Sequence, residues 1–126
     1  MEKTLFNKNG LPTAYITDDY NQDIYLWDGH AVAYVFENEH VYGVNGDHLG
    51  WFVQEIVFNN YGERVGFTSS TCPVNIVKEP SKTKKHPKAE IRPRWKAPAF
   101  PNLTFNIAEQ DLSGFLNQGQ AVGMRA

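Results

Sequence analysis

The chain has 126 residues, of which 41% are apolar and 13% aromatic, so it fits one globular domain with a ring-rich core rather than a disordered chain. A single cysteine, Cys72, excludes an intrachain disulfide and leaves no second thiol for a cysteine-based zinc site. No apolar stretch approaches the roughly 20 residues that span a bilayer, and no signal-peptide pattern opens the chain. We therefore expect no membrane association and a cytoplasmic location.

The formal net charge of -2 hides an uneven distribution of charge along the chain. Residues 1–77 contain ten acidic and three basic residues, whereas residues 78–126 contain nine basic and four acidic ones. This division predicts an acidic body followed by a basic tail.

An eleven-residue phrase occurs four times in the first 67 residues, each time without an insertion or deletion. It consists of an aliphatic residue, an aromatic residue, three variable positions, glycine, two variable positions, Thr/Val/Leu, Ala/Gly and a second aromatic residue. The copies are Leu5–Tyr15, Ile24–Tyr34, Val41–Trp51 and Val57–Phe67. In the first three copies Asn or Asp precedes the glycine, a dipeptide that favours tight hairpin turns. The phrase therefore predicts four β-hairpins.

The aromatic and small positions of the phrase predict how each outgoing strand packs. Because side chains alternate along a strand, the third and fifth positions after the glycine are expected to share one buried face. These positions are Thr13/Tyr15, Val32/Tyr34, Leu49/Trp51 and Val65/Phe67. The fourth position is always small and is expected to face a closely packed neighbour; its occupants are Ala14, Ala33, Gly50 and Gly66. Since a lone hairpin cannot bury a face, we expect the four units to pack radially with pseudo-fourfold symmetry.

The fourfold phrase resembles the 4-fold β-flower family of small bacterial proteins. The resemblance rests on the pattern [LIV][FY]-x3-G-x2-[TVL]-[AG]-[YWF] and covers roughly residues 3 to 70. It implies an all-β flower of four hairpins, and it implies no activity, ligand or catalytic residue.

The chain after the last repeat has a different composition. Residues 78–101 contain five prolines and eight Lys or Arg residues, which predicts an extended strap or linker. We therefore divide the chain into a hairpin domain, residues 1–74, and a basic strap with a C-terminal strand and helix, residues 75–126. The strand is predicted at residues 103–107. The spacing of Asn106 and Glu109 predicts a helix cap, and Leu112, Phe115 and Leu116 form one apolar stripe of a helix from about 107 to 117.

The sequence contains no recognisable catalytic or nucleotide-binding pattern, so we predict no catalytic residue and no cofactor. Cys72 precedes Pro73 and has no histidine nearby in sequence. His30 and His48 follow turn glycines, and His40 lies in the connection between them. These three side chains form a transition-metal site if the hairpin tips converge, and are otherwise exposed turn histidines.

Two regions are candidates for partner binding. The tail residues Lys84, Lys85, Arg92 and Arg94, together with Trp95, have the composition of a segment that tracks phosphates and stacks on a base. The same residues would also suit a strap lying across the acidic body of its own chain. Trp27 stands two residues before a turn glycine, where it would anchor a partner or belong to a local cluster with Tyr20.

The leading functional hypothesis is a non-enzymatic module that binds another protein or assembles with copies of itself as a homo-oligomer. A second hypothesis is a binder of small molecules or carbohydrates, or a hydrolase, using a pocket where the hairpins converge. The third is association with nucleic acid through the basic tail.

Overall fold

Four β-hairpins close into one antiparallel barrel in the computed structural model, which describes residues 2–121. The strands are β1 (Lys3–Phe6), β2 (Pro12–Ile16), β3 (Asp23–Leu26), β4 (Ala31–Phe36), β5 (His40–Gly43), β6 (His48–Val53), β7 (Ile56–Asn59) and β8 (Arg64–Phe67). Each strand pairs with the next, and β8 pairs with β1, so the barrel leaves no open sheet edge. The predicted all-β architecture of four hairpins is confirmed. Among residues 2–121, no helix is long and apolar enough to cross a bilayer.

Every hairpin contains a β-bulge that changes which residues face the interior. In the second hairpin Ile24 pairs with Ala33 and Tyr25 with Ala31, so Val32 is an extra residue on β4. The other hairpins have the same register shift at the position equivalent to Val32. A bulge interrupts the alternation of side chains, so residues on either side of it change face.

The bulge places the third and fifth positions after the turn glycine on opposite faces of the strand. Val32, Leu49 and Val65 belong to the interior cluster with the helix, whereas the fifth-position rings belong to separate clusters or ring pairs on the outer surface of the barrel. The prediction that these two positions share one face is therefore wrong. Alternation alone could not have located the bulge, because it assumes an uninterrupted ladder.

The barrel interior is filled by aliphatic residues of the strands and by the apolar side chains of one helix, α1 (Leu112–Asn117). Leu112, Phe115 and Leu116 are at most 2% exposed. A Cβ added to Gly66 would lie 2.8 Å from Leu112 Cδ1, and one added to Gly50 would overlap the Phe58 carbonyl oxygen of β7 and lie 3.0 Å from Phe115 Cζ. The small residue at the fourth position after the turn glycine thus makes room for the helix. The prediction that this position faces a closely packed neighbour is confirmed.

The helix is shorter than predicted and has a different cap. Asp111 is the N-cap residue, and its carboxylate accepts a hydrogen bond from the Ser113 amide at 3.3 Å. Residues 103–107 form only an isolated bridge to Arg64 instead of a strand, because their backbone is held at the fourth hairpin turn. The predicted strand and the Asn106 capping box are therefore wrong, whereas the short C-terminal helix is confirmed.

The outer surface of the barrel carries a ring of aromatic side chains, each at most 7% exposed. They are Phe6, Tyr15, Tyr25, Tyr34, Tyr42, Trp51, Phe58 and Phe67. The segment from residue 72 to residue 107 lies over this surface, and from here on the word strap means this segment. It contains no helix, and its only bridge partner is Arg64. The aromatic residues are thus buried between the barrel wall and the strap.

The strap follows the fourfold repeat of the barrel with a period of its own. At each turn one strap amide donates a hydrogen bond of 2.8–3.0 Å to the carbonyl of the turn glycine. The pairs are Val77 with Gly10, His86 with Gly29, Trp95 with Gly46, and Thr104 with Gly62. The donors, at residues 77, 86, 95 and 104, rise by nine at each step. The strap therefore contacts all four hairpins in turn before the chain enters α1. Residues 122–126, the end of the predicted second unit, lie outside the described residues.

A pair of glycine variants tests the contact between turn and strap. We expect Gly46→Ala to lower the free energy of unfolding by more than about 2 kcal/mol, because its φ of 95° is strained for alanine and the new Cβ would overlap the Pro93 carbonyl oxygen. Gly114→Ala is the matched control in α1, where the nearest atom lies 3.9 Å from the new Cβ. Alanine should raise stability there by up to about 1 kcal/mol, because glycine is a poor helix former. Urea unfolding of both variants checks the two signs, and equal losses would contradict the assignment.

Candidate functional site

The basic residues over the first two hairpins are used largely within the chain. Lys85 Nζ lies 2.8 Å and Lys82 Nζ 3.0 Å from the Glu2 carboxylate. Lys82 Nζ also lies 4.5 Å from the ring centroid of Tyr15. The hydrogen bond from Lys85 lowers the pKa of Glu2, and the same bond raises the pKa of Lys85. Lys85 therefore binds the body of its own chain.

The other predicted tail cations divide into two groups. Arg94 lies with its guanidinium 3.7 Å from the ring centroid of Phe36 and donates to the Tyr34 hydroxyl at 3.3 Å. Lys84 and Arg92 are exposed, and their side chains make no hydrogen bond, ion pair or ring contact with the residues that the structure describes. Only these last two are fully available to a partner.

Trp95 has an exposed side chain on a fixed backbone. Its indole is 71% exposed. Its amide donates to the Gly46 carbonyl at 3.0 Å, and its own carbonyl accepts a bond from the Tyr42 hydroxyl at 2.8 Å. The strap thus presents this ring to solvent from a backbone held on both sides of the residue.

Trp27 is not at an exposed loop tip. It is partly buried, its ring packs edge-on against Tyr15 at 5.7 Å, and Lys82 lies above it. Its indole nitrogen is buried without a hydrogen-bond partner in the described chain. The local cluster is therefore formed with Tyr15, whereas Tyr20 is 99% exposed elsewhere.

The three candidate metal ligands do not converge. His40 Nδ1 and His48 Nε2 are 3.1 Å apart, but His30 stacks on His86 with ring centroids 4.0 Å apart. Within residues 2–121, no group of three or more metal-ligating side chains is found. Burial, together with the neighbouring His40, lowers the pKa of His48 to about 4. The pair is an aromatic-lined contact between β5 and β6.

The predicted pocket at the convergence of the hairpins is wrong, because α1 fills that space. A cleft of about 440 Å³ lies at the barrel end opposite the hairpin turns. Its walls are the β2–β3 connection, the end of β4 with the following turn, and strap residues 91–94. Residues that line it include Tyr20, Asp23, Tyr34, Phe36, Glu37 and Arg94. Sequence reasoning missed this cleft because its walls come from three separated segments, only one of which lies in a repeat.

Removal of one strap cation tests whether the strap is held by charge. Lys88 Nζ lies 2.9 Å from the Asp23 carboxylate, which is only 6% exposed, and this hydrogen bond raises the pKa of Lys88. We expect Lys88→Ala to cost about 2 kcal/mol, because it leaves a buried carboxylate unpaired while Lys88 itself is partly solvated. Lys84→Ala, at an exposed position, is the control and should change the free energy of unfolding by less than about 0.5 kcal/mol. Urea unfolding measures both variants, and a loss shared by Lys84→Ala would contradict the pairing.

The lowered pKa of His48 predicts a defined pH dependence of stability. Between about pH 6.5, the ordinary value, and about 4, the unfolded chain binds more protons at this residue than the folded one. Stability should therefore fall as the pH drops through this window, and His48→Asn should remove that part of the loss. Free energies of unfolding measured at several pH values in the wild type and in His48→Asn test this. An unchanged slope in His48→Asn would contradict the assignment.

Comparison with known proteins agrees with the architecture. No curated protein and no solved structure gives a significant match. The sequence model of the 4-fold beta flower protein matches residues 3–116, which include all eight strands, the strap and most of α1. This match identifies the fold and assigns no activity. The chain therefore belongs to the 4-fold beta flower family.

Proposed function

We propose that this protein is a non-enzymatic module that binds a partner protein through an aromatic anchor on its strap. The observation that carries the proposal is Trp95, whose indole is 71% exposed on a backbone held by Gly46 and Tyr42. The hydration of an exposed indole ring is unfavourable, and this free energy is recovered when a partner covers the ring. Tryptophan is also enriched among the residues that dominate binding energy. Because its backbone is already ordered, little conformational entropy is lost on binding.

The residues around Trp95 indicate the chemistry of the partner. Arg92 and Lys96 are exposed on either side of it, and Phe100 is 51% exposed further along the strap. This arrangement supports a partner with an apolar pocket rimmed by carboxylates. Charge complementarity of this kind raises the association rate and selects among partners.

The surroundings of the single thiol do not suit a cysteine nucleophile. Cys72 is partly buried against the cluster formed by Trp51, Phe58 and neighbouring residues. Its Sγ lies 3.8 Å from the Asn7 carbonyl oxygen, and no histidine contacts it among the described residues. Cys72 thus packs as a small apolar residue.

A matched pair of exposed aromatic variants tests the proposal. Tagged wild-type protein, Trp95→Ala and Tyr20→Ala are used to capture partners from cells of origin, and the captured protein is then purified and titrated directly. We expect Trp95→Ala to weaken binding at least about 30-fold, the effect of losing a central anchor. Tyr20→Ala should bind like wild type, because Tyr20 is also exposed but lies in the β2–β3 connection, away from the Gly46 turn that holds Trp95.

Two results would decide against this function. Equal affinity of wild type and Trp95→Ala for the purified partner would remove the anchor. Concentration-dependent dimerisation of wild type that is lost in Trp95→Ala, measured by analytical ultracentrifugation, would replace a separate partner with a second copy of this chain.

A further inference from the structure

We propose that the cleft between Tyr20, Glu37 and Arg94 is a binding site for a short neutral carbohydrate. The cleft has a volume of about 440 Å³, within the usual range for small-ligand sites of roughly 300 to 1,000 Å³. It is separate from the Trp95 anchor and does not depend on the proposed partner binding.

The walls of the cleft are held in place before any ligand arrives. The Val35 amide donates to the Gln22 carbonyl at 3.0 Å, which ties β4 to the β2–β3 connection. Arg94 stacks on Phe36 and joins the strap to β4. Since all three walls are fixed to one another, a ligand entering the cleft would not have to order them.

Several polar side chains in the cleft have no partner of their own. Asn21, Glu37 and Asn38 line it, and their side chains make no hydrogen bond or ion pair with other described residues. Arg94 uses one N–H on the Tyr34 hydroxyl, which leaves further donors. The cleft therefore offers both donors and acceptors, as a ligand rich in hydroxyl groups requires, because each hydroxyl both donates and accepts.

The charges of the cleft balance and favour a neutral ligand. Lys88 neutralises the Asp23 carboxylate at 2.9 Å, and the remaining groups are the Glu37 carboxylate and the Arg94 guanidinium. A phosphate would be attracted by Arg94 but repelled by the Glu37 carboxylate, and a polyamine would be attracted by Glu37 but repelled by Arg94. A sugar avoids both repulsions and can bond to either charged group.

Tyr20 supplies the apolar surface that such a ligand needs. Its side chain is 99% exposed at the rim of the cleft, and no ring contact with it is shown among the described residues. The C–H face of a pyranose ring buries apolar area when it lies on an aromatic ring, while its hydroxyl groups stay at the edges. The exposed ring and the polar floor of the cleft thus match the two faces of a sugar.

The experiment titrates maltose, cellobiose and N,N′-diacetylchitobiose separately into the ¹⁵N-labelled full chain. Each is added to about 10 mM, which is ten times the Kd of about 1 mM expected of an open site. We expect at least one disaccharide to shift amide signals in residues 20–23, 34–38 and 91–94. Tyr20→Ala should weaken that binding at least about tenfold and should fold normally, because the side chain is exposed. Tyr61→Ala is the matched control, since Tyr61 is 83% exposed at a hairpin turn on the other end of the barrel.

Three outcomes would overturn the proposal. They are the absence of shifts with all three disaccharides, shifts confined to other parts of the barrel, and equal weakening by Tyr20→Ala and Tyr61→Ala. Inorganic phosphate is titrated in parallel, and shifts of the same cleft amides by phosphate but not by sugars would also overturn it. None of these results bears on Trp95, so failure here and failure of partner binding are distinguishable.

Discussion

The hydrogen bond between a turn glycine and the strap is the contact on which the whole molecule depends. Each glycine adopts a left-handed φ of 79° to 95°, which turns the hairpin, and presents its carbonyl to a strap amide. Its missing side chain also leaves space for a strap carbonyl on the same side. One residue type therefore satisfies the turn, the hydrogen bond and the close approach of two backbones.

Because the strap is fixed at four points, it can cover the aromatic ring around the barrel. Without that cover, eight rings would be exposed on the outer wall, which would favour aggregation. Four of the eight cations of the strap lie over those rings or pair with acidic residues; they are Lys82, Lys85, Lys88 and Arg94. About half of the positive charge of the strap is thus used in contacts within the chain. What remains at the surface is the set of groups that these contacts do not use, such as Trp95 and Lys84.

The repeat made most of the barrel predictable, since Asn-Gly turns and aromatic spacing both report on local geometry. The bulges were not predictable from alternation, because Val32 and its equivalents look like ordinary strand residues. The period of the strap was also hidden: Val77, His86, Trp95 and Thr104 share no chemistry, because each contributes only a backbone amide. The cleft was missed for a related reason, since Tyr20, Glu37 and Arg94 come together only when the strap is in place.

The contribution of α1 to the barrel core bears on how the chain reaches its native state. The interior surface of strands formed by residues 3–67 is completed by Leu112, Phe115 and Leu116, which follow the strap in sequence. Contacts of such long sequence separation form late, because the intervening chain must be ordered first. During synthesis the hairpins therefore emerge from the ribosome well before the residues that fill their core. The core of the barrel is therefore complete only once residues 112–116 have joined the hairpins.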